Sequence, residues 1–168
     1  MTETEILHWV KDTWLGVTVS RSRWLFATGE TFHFIGLSLM VGGLLIVDLR
    51  ILGFLRRMPL KSAMAFLPFV IVGFLINLAT GIEFFFADPF MYWPNPAFKL
   101  KLFLIFVAGI NALVATIVLH RHAKHAGLDD DNFDALTKAT AGLSLSLWLV
   151  VILLGRLLPA FEGSTEFF

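Results

Sequence analysis

Four runs of this chain contain no charged side chain: residues 31–47, 62–82, 102–119 and 139–155. Each approaches the roughly 20 apolar residues that cross a hydrocarbon layer about 30 Å thick. No water reaches backbone amides and carbonyls in such a layer, so each run must close its own hydrogen bonds as a helix. A soluble fold is no alternative. Hydrophobic residues fill 57% of the 168 positions, 18 of them phenylalanine, which is more apolar surface than one core of this size can hide. The expected fold is therefore all-α: an integral membrane antiparallel four-helix bundle forming a single membrane domain over residues 1–168. Its spans lie at about 24–50, 62–87, 98–121 and 138–160.

The connections agree with this architecture. Pro59 marks the first, and Pro89, Pro94 and Pro96 mark the second, while short connections imply antiparallel neighbours. Pro68 falls inside the second span, where it is expected to kink the helix or remove one backbone bond. Trp24, Tyr92 and Trp93 sit at span ends, as interface-anchoring aromatic residues do, and Trp148 lies within span four. Residues 1–20 read as one amphipathic helix outside the bilayer core. Thr2 and Glu5 fit a capping box, and Ile6, Val10, Trp14 and Val17 recur at helical spacing. Such a helix suits the membrane interface or the protein's own outer surface equally well.

Thirteen basic residues balance thirteen acidic ones, so the chain has no electrostatic footprint for nucleic acid. Without cysteine, disulfides, thiolate metal sites and thiol nucleophiles are excluded. The sequence lacks H-E-x-x-H, a phosphate loop and a nucleophile elbow, which argues against protease and ATPase roles and leaves catalytic residues unassigned. The acidic start MTETE lacks the basic region of a cleaved signal peptide. Seven Lys and Arg residues fall in the connections 49–61 and 120–138, against six on the other side. The positive-inside rule then places both termini outside.

An antiparallel arrangement gathers the polar residues at two levels. At the end carrying the termini stand Glu30 and His33 of span one, Glu83 of span two, Lys101 of span three and Arg156 of span four. Ionisable groups inside a bilayer are costly, so this set is the candidate site, with His33, Glu30 and Arg156 expected to face inward. At the opposite end, Asp48, Arg50 and His120 read as structural polar residues, with Asp48 and Arg50 each paired to another span. Mid-membrane Asn77 and Asn111 read as interhelical hydrogen-bond glue. The run H-R-H-A-K-H at 120–125, followed by Asp129 to Asp131 and Asp134, resembles a metal box, but a mixed-charge loop is the commoner use of such a composition. Gly29, Gly36 and Gly43 recur at seven-residue spacing and line one helix face. That seam admits either a neighbouring helix or a flat porphyrin or quinone ring beside His33.

Several motifs carry a resemblance: E-T-x-H-x-x-G-L-x-L-x-V-G-G (Glu30 to Gly43), D-L-R (Asp48 to Arg50), N-P-A-F-x-x-K (Asn95 to Lys101), A-G-x-N-A (Ala108 to Ala112) and G-R (Gly155, Arg156). Over residues 24–160 the chain resembles a group of uncharacterised bacterial four-span inner-membrane proteins. The resemblance implies the four-helix fold, an inner-membrane location, and Glu30, His33, Asp48, Arg50, Lys101, Asn111 and Arg156 as polar positions; in such a membrane the positive-inside rule makes both termini periplasmic. More loosely, the chain is similar to four-helix membrane cytochromes with b-type haem and to membrane domains of copper-handling proteins. Those cytochromes pair two inward histidines from different helices, whereas spans two and four of this chain have none.

Three functions follow as expectations. The first is a small electron-transfer protein binding haem b or a quinone around His33, with Glu30, Glu83, Lys101 and Arg156 as further cofactor-binding residues. The second is copper handling, with His33 and Met40 as soft ligands seven residues apart. The third is an accessory subunit of a larger membrane complex or homo-oligomer, its buried charges acting as locks between helices or subunits.

Overall fold

The computed structural model describes residues 2–125 and 132–161. Eight α-helices follow one another: α1 (Glu3–Lys11), α2 (Trp14–Arg21), α3 (Arg23–Ile51), α4 (Leu60–Met64), α5 (Leu67–Ala87), α6 (Pro89–Tyr92), α7 (Pro96–His125) and α8 (Ala135–Leu157), with a 3₁₀ turn at Leu158–Phe161. The four candidate spans are Arg23–Ile51, Leu60–Ala87, Pro96–His122 and Ala135–Phe161. Their surfaces are inverted relative to a water-soluble protein. On α7, Phe103, Phe106 and Leu113 are 60%, 67% and 63% exposed, an arrangement stable only where lipid replaces water. The chain is thus a multi-pass all-α membrane protein in contact with the lipid bilayer.

Proline and hydroxyl residues set the helix boundaries. Pro68 lies in the first turn of α5, where no intrahelical amide bond is lost. The expected kink inside span two is instead a break at Ala65–Phe66 between α4 and α5. The N-terminal segment also differs from one continuous helix. Thr13 accepts from the amide of Gly16 at 3.2 Å and starts α2 afresh. The Thr2–Glu5 capping box opens α1 as expected. Leu7, Val10, Gly16 and Val19 are buried, with α1 and α2 packed on α5 and α6, while Trp9, Trp14 and Trp24 remain 63%, 81% and 85% exposed. The face that covers protein is thus Leu7, Val10, Gly16 and Val19 rather than the expected stripe Ile6, Val10, Trp14 and Val17, of which Ile6 and Trp14 are exposed.

The spans are arranged side by side in the order α5, α3, α8, α7. The α3–α5 pair is the most extensive, α7 packs on α8, and α3 also meets α8. Glycine explains why α3 and α5 approach so closely. A Cβ on Gly36 would lie 2.9 Å from the Gly73 carbonyl oxygen, and one on Gly73 would lie 2.5 Å from that of Gly36. Backbone meets backbone there, the packing mode that small residues permit in membranes. Gly43 faces Val70 and Phe66 in the same way. By contrast, α5 and α7 form no comparable packed pair. Near the terminus-bearing end they are joined through the parallel stack of Phe85 and Phe98, centroids 5.8 Å apart.

At the opposite end, Val47, Ile51, Leu60, Phe133 and Ala141 make a small apolar core. The α8 start beside it is capped by Asp134, whose side chain accepts from the amide of Thr137 at 2.9 Å and from its hydroxyl. Those bonds hold the Asp134 carboxyl below its usual range. A carboxyl depressed on folding adds stability above its unfolded value, near pH 4, and that stability disappears as pH falls through the lower folded value. Thermal unfolding in detergent across this window is expected to show an acid-side loss in wild type that Asp134→Asn, an equally good cap without a titrating charge, reduces.

Candidate functional site

The terminus-bearing half of the bundle holds the site, built on one stripe of α3. Gly29, His33, Gly36 and Met40 follow at spacings of three and four residues and turn toward α5. From α5, Thr80, Glu83 and Phe84 present matching spacings. The His33 ring meets the Thr80 hydroxyl through Nδ1 at 2.7 Å and lies 5.4 Å, centroid to centroid, from the Phe84 ring. Thr80 Oγ1 also lies 2.8 Å from the Ile76 carbonyl, to which it donates. With that proton committed there, the oxygen can accept from a His33 Nδ1–H, the tautomer that leaves a lone pair on Nε2. Among the described residues Nε2 has no hydrogen-bond partner, and it is not among the buried polar atoms left without one. It is open to whatever fills the adjoining space.

Two further ionisable groups join the imidazole. Glu83 lays its carboxylate across Gly29, both oxygens 2.8 Å from where a Cβ would stand. Lys101 reaches in from α7 across Gly155 of α8, its Nζ 3.3 Å from the Cβ position there, and acts electrostatically on His33. Neither Glu83 nor Lys101 has an ion-pair or hydrogen-bond partner among the described residues. Phe98, one turn before Lys101, stacks on Phe85, one residue after Phe84, so the aromatic pair bridges α5 and α7 at the terminus-bearing end.

The other expected members stand elsewhere. Glu30 and Arg156 are exposed and do not turn toward His33. Helical geometry accounts for Glu30: one residue after Gly29, it is rotated by about 100° from that residue and falls at the margin of the stripe that faces α5. For Arg156 the neighbouring Gly155 is the residue that serves the site, by leaving room for Lys101. Met40 is 2% exposed, and its own backbone and Cβ meet Gly73, so it packs the α3–α5 contact. The glycine seam is filled as well. Glu83 covers Gly29, Gly73 covers Gly36 and Val70 covers Gly43, so helix α5 takes the place of a flat ring along it. Among the described residues no group of three His, Asp or Glu side chains could hold a metal ion.

At the opposite end Asp48 and Arg50 are 6% and 3% exposed. Among the described residues Asp48 Oδ2 is buried without a hydrogen-bond partner. Arg50 donates from Nε to the Met58 carbonyl and places its guanidinium 6.0 Å from the centroid of the Phe133 ring. Asn111 Nδ2 donates across to the Thr140 carbonyl of α8 at 3.0 Å. Asn77 donates within its own helix to Gly73 at 2.9 Å, rather than to a neighbour. His120 is exposed, and the His122 ring lies 4.6 Å from that of Phe133. Asp129 to Asp131, the acidic part of the suspected metal box, lie outside the described residues.

Thr80 and Phe84 are the residues that the sequence reading passed over, and Gly155 was quoted only within a motif. Thr80 and Glu83 carried a usable signal: two polar positions one turn apart at the His33 level, in a span otherwise almost free of polar groups. Asn95 was quoted only within a motif. It is 4% exposed, accepts from the Ala97 amide at 3.0 Å and donates to the Leu158 carbonyl at 2.9 Å. It thereby ties the start of α7, and with it Lys101, to the end of α8.

No protein-family model, curated protein or solved structure matches this chain.

Proposed function

We propose that the protein binds the head group of a membrane quinone or quinol at the His33 site, as a small inner-membrane protein of the electron-transfer type. The observation that supports this reading most is the His33–Thr80 bond, which commits Nδ1 to the protein and leaves Nε2 free as an acceptor. A quinol hydroxyl is a suitable donor to that lone pair. Lys101 supplies a cationic donor for the second ring oxygen, and Glu83 supplies an acceptor for a proton leaving the hydroxyl. At this level α5 and α7 present exposed apolar side chains, Ile82 and Leu102 among them, so a quinone dissolved in the bilayer reaches this end of the bundle without passing through water. When bound, the quinone supplies two-electron, two-proton chemistry.

Haem b uses the same ring nitrogen. A histidine ligand normally has its other nitrogen anchored, as Thr80 anchors this one. The filled glycine seam gives a porphyrin no support, because α5 occupies the flat face on which the macrocycle would lie. Met40, sealed in a helix contact, gives copper binding no added support.

Titrating a short-chain quinol into nanodisc-embedded protein tests the reading. Thr80→Val removes the anchor of Nδ1 while preserving side-chain shape. It is expected to weaken quinol binding about fivefold, the worth of one hydrogen bond near 1 kcal/mol. Equal affinity in both proteins, or no saturable binding by wild type, counts against the site.

A further inference from the structure

The turn between α3 and α4 combines features that none of the preceding functions uses. It follows directly on a membrane-spanning helix, at the end of the bundle opposite the His33 site. Gly53 has φ +90°, a conformation that lets the chain double back on itself. Arg56 folds onto the surface left bare there, its Nε 2.9 Å and Nη2 3.2 Å from the Cβ position of Gly53. Arg50, buried at the end of α3, fixes the far side of the turn by donating to the Met58 carbonyl.

The turn encloses an open cavity of about 540 Å³ lined by Gly53, Phe54, Leu55, Arg56, Arg57 and Met58. Its chemistry is that of an anion acceptor. The amides of Phe54, Leu55 and Met58 donate to backbone carbonyls, whereas those of Arg56 and Arg57 donate to none among the described residues. Successive free amides in a turn form a concave site for a phosphate. The guanidinium groups of both arginines have no carboxylate partner among the described residues, and Lys61 adds a third cation in the first turn of α4. A phosphate held there would receive charge-assisted, bidentate hydrogen bonds.

Phe54 identifies where the phosphate comes from. It is 77% exposed, on a turn that otherwise presents cations. In water that ring would be a liability. At the bilayer surface it dips among acyl chains while the arginines stay at head-group level, as aromatic and basic anchors do. Phe66 and Phe69, 37% and 54% exposed at the α4–α5 junction, provide an apolar face for the chains of the same lipid.

We infer that the Gly53–Met58 turn is a binding site for the phosphate of an anionic phospholipid. Full-length protein in nanodiscs of phosphatidylcholine doped with phosphatidylglycerol tests this, with lipid retention counted by native mass spectrometry. Wild type is expected to retain phosphatidylglycerol preferentially. R56Q/R57Q is expected to weaken that preference about 25-fold, at roughly fivefold for each arginine near the surface. R21Q/R23Q, at the other end of the bundle, is expected to leave it unchanged. Phe54→Ser, which keeps every cation, should weaken retention without altering the preference for the anionic head group. Millimolar inorganic phosphate should displace little of the lipid. Wild type without preference, equal loss in the two double variants, or full displacement by inorganic phosphate would each overturn the assignment, the last in favour of a site for free anions.

Discussion

Gly73→Leu is expected to prevent the bundle from assembling. In the folded protein the Cβ position of Gly73 lies 2.5 Å from the carbonyl oxygen of Gly36 and 2.6 Å from the backbone nitrogen of Met40. Both obstacles are main chain of a helix hydrogen-bonded along its whole length, so no rotamer change relieves the clash. The helices must separate, and separation strips contacts from the most extensive helix pair in the bundle. Lipid tails are as apolar as the side chains they would replace, so no hydrophobic term restores what dispersion loses. Overpacking at one site costs 1–3 kcal/mol where side chains can yield; against two backbones the expected loss is about 3 kcal/mol or more. Size-exclusion profile and thermal unfolding in detergent measure it. The same substitution at Gly81, which has no atom within 4 Å of its Cβ position, should be nearly neutral and serves as the control.

His33→Ala is expected to remove ligand binding while leaving the bundle folded. The ring is half-buried and bonded to Thr80, so its removal leaves a small gap beside Phe84 and returns the Thr80 oxygen to its backbone donation alone. Thr80 already donates to the Ile76 carbonyl, so no buried donor is orphaned and the stability cost stays modest. The ligand loses the Nε2 acceptor altogether. In a site shielded from water, such a bond is worth up to about 3 kcal/mol, so affinity should fall between about tenfold and a hundredfold. This exceeds the effect of Thr80→Val, which perturbs the same nitrogen only indirectly. Isothermal titration of a short-chain quinol into wild type and variant separates the two magnitudes.

The sequence made the spans legible because membrane burial imposes a length and a polarity that no other environment demands. It also exposed the glycine periodicity of α3, though not what lies against it. Periodicity identifies a face, whereas the occupant depends on which helix is adjacent, and only the three-dimensional order α5, α3, α8, α7 shows that Gly73 fills the seam. The break before Pro68 was half legible: proline announced an interruption, but whether it stood inside a helix or at its first turn depended on the α4 turn preceding it. Matching depth along antiparallel spans brought His33, Glu83 and Lys101 to one level but could not resolve rotation about each helix axis. Glu30 and Arg156 share that level, yet a shift of one residue turns each away from the space that His33 adjoins. Thr80 escaped notice for a different reason. A threonine in a membrane helix ordinarily bonds its own backbone, as this one does, and its second role appears only with a histidine at 2.7 Å.

The central claim, that His33 Nε2 holds a quinone-type ring, is tested most directly by what copurifies with the protein. Wild type and His33→Ala are to be purified in mild detergent from membranes containing quinone. Each is then extracted with organic solvent for quantitative quinone analysis, and a reduced-minus-oxidised optical spectrum is recorded before extraction. About one quinone per chain in wild type, little or none in His33→Ala, and no haem bands in either is the predicted result. A haem spectrum lost on His33→Ala would assign the nitrogen to iron instead. The same trace of quinone in both proteins, with no chromophore in either, would contradict a ligand at His33 and leave the cluster as an interhelical contact.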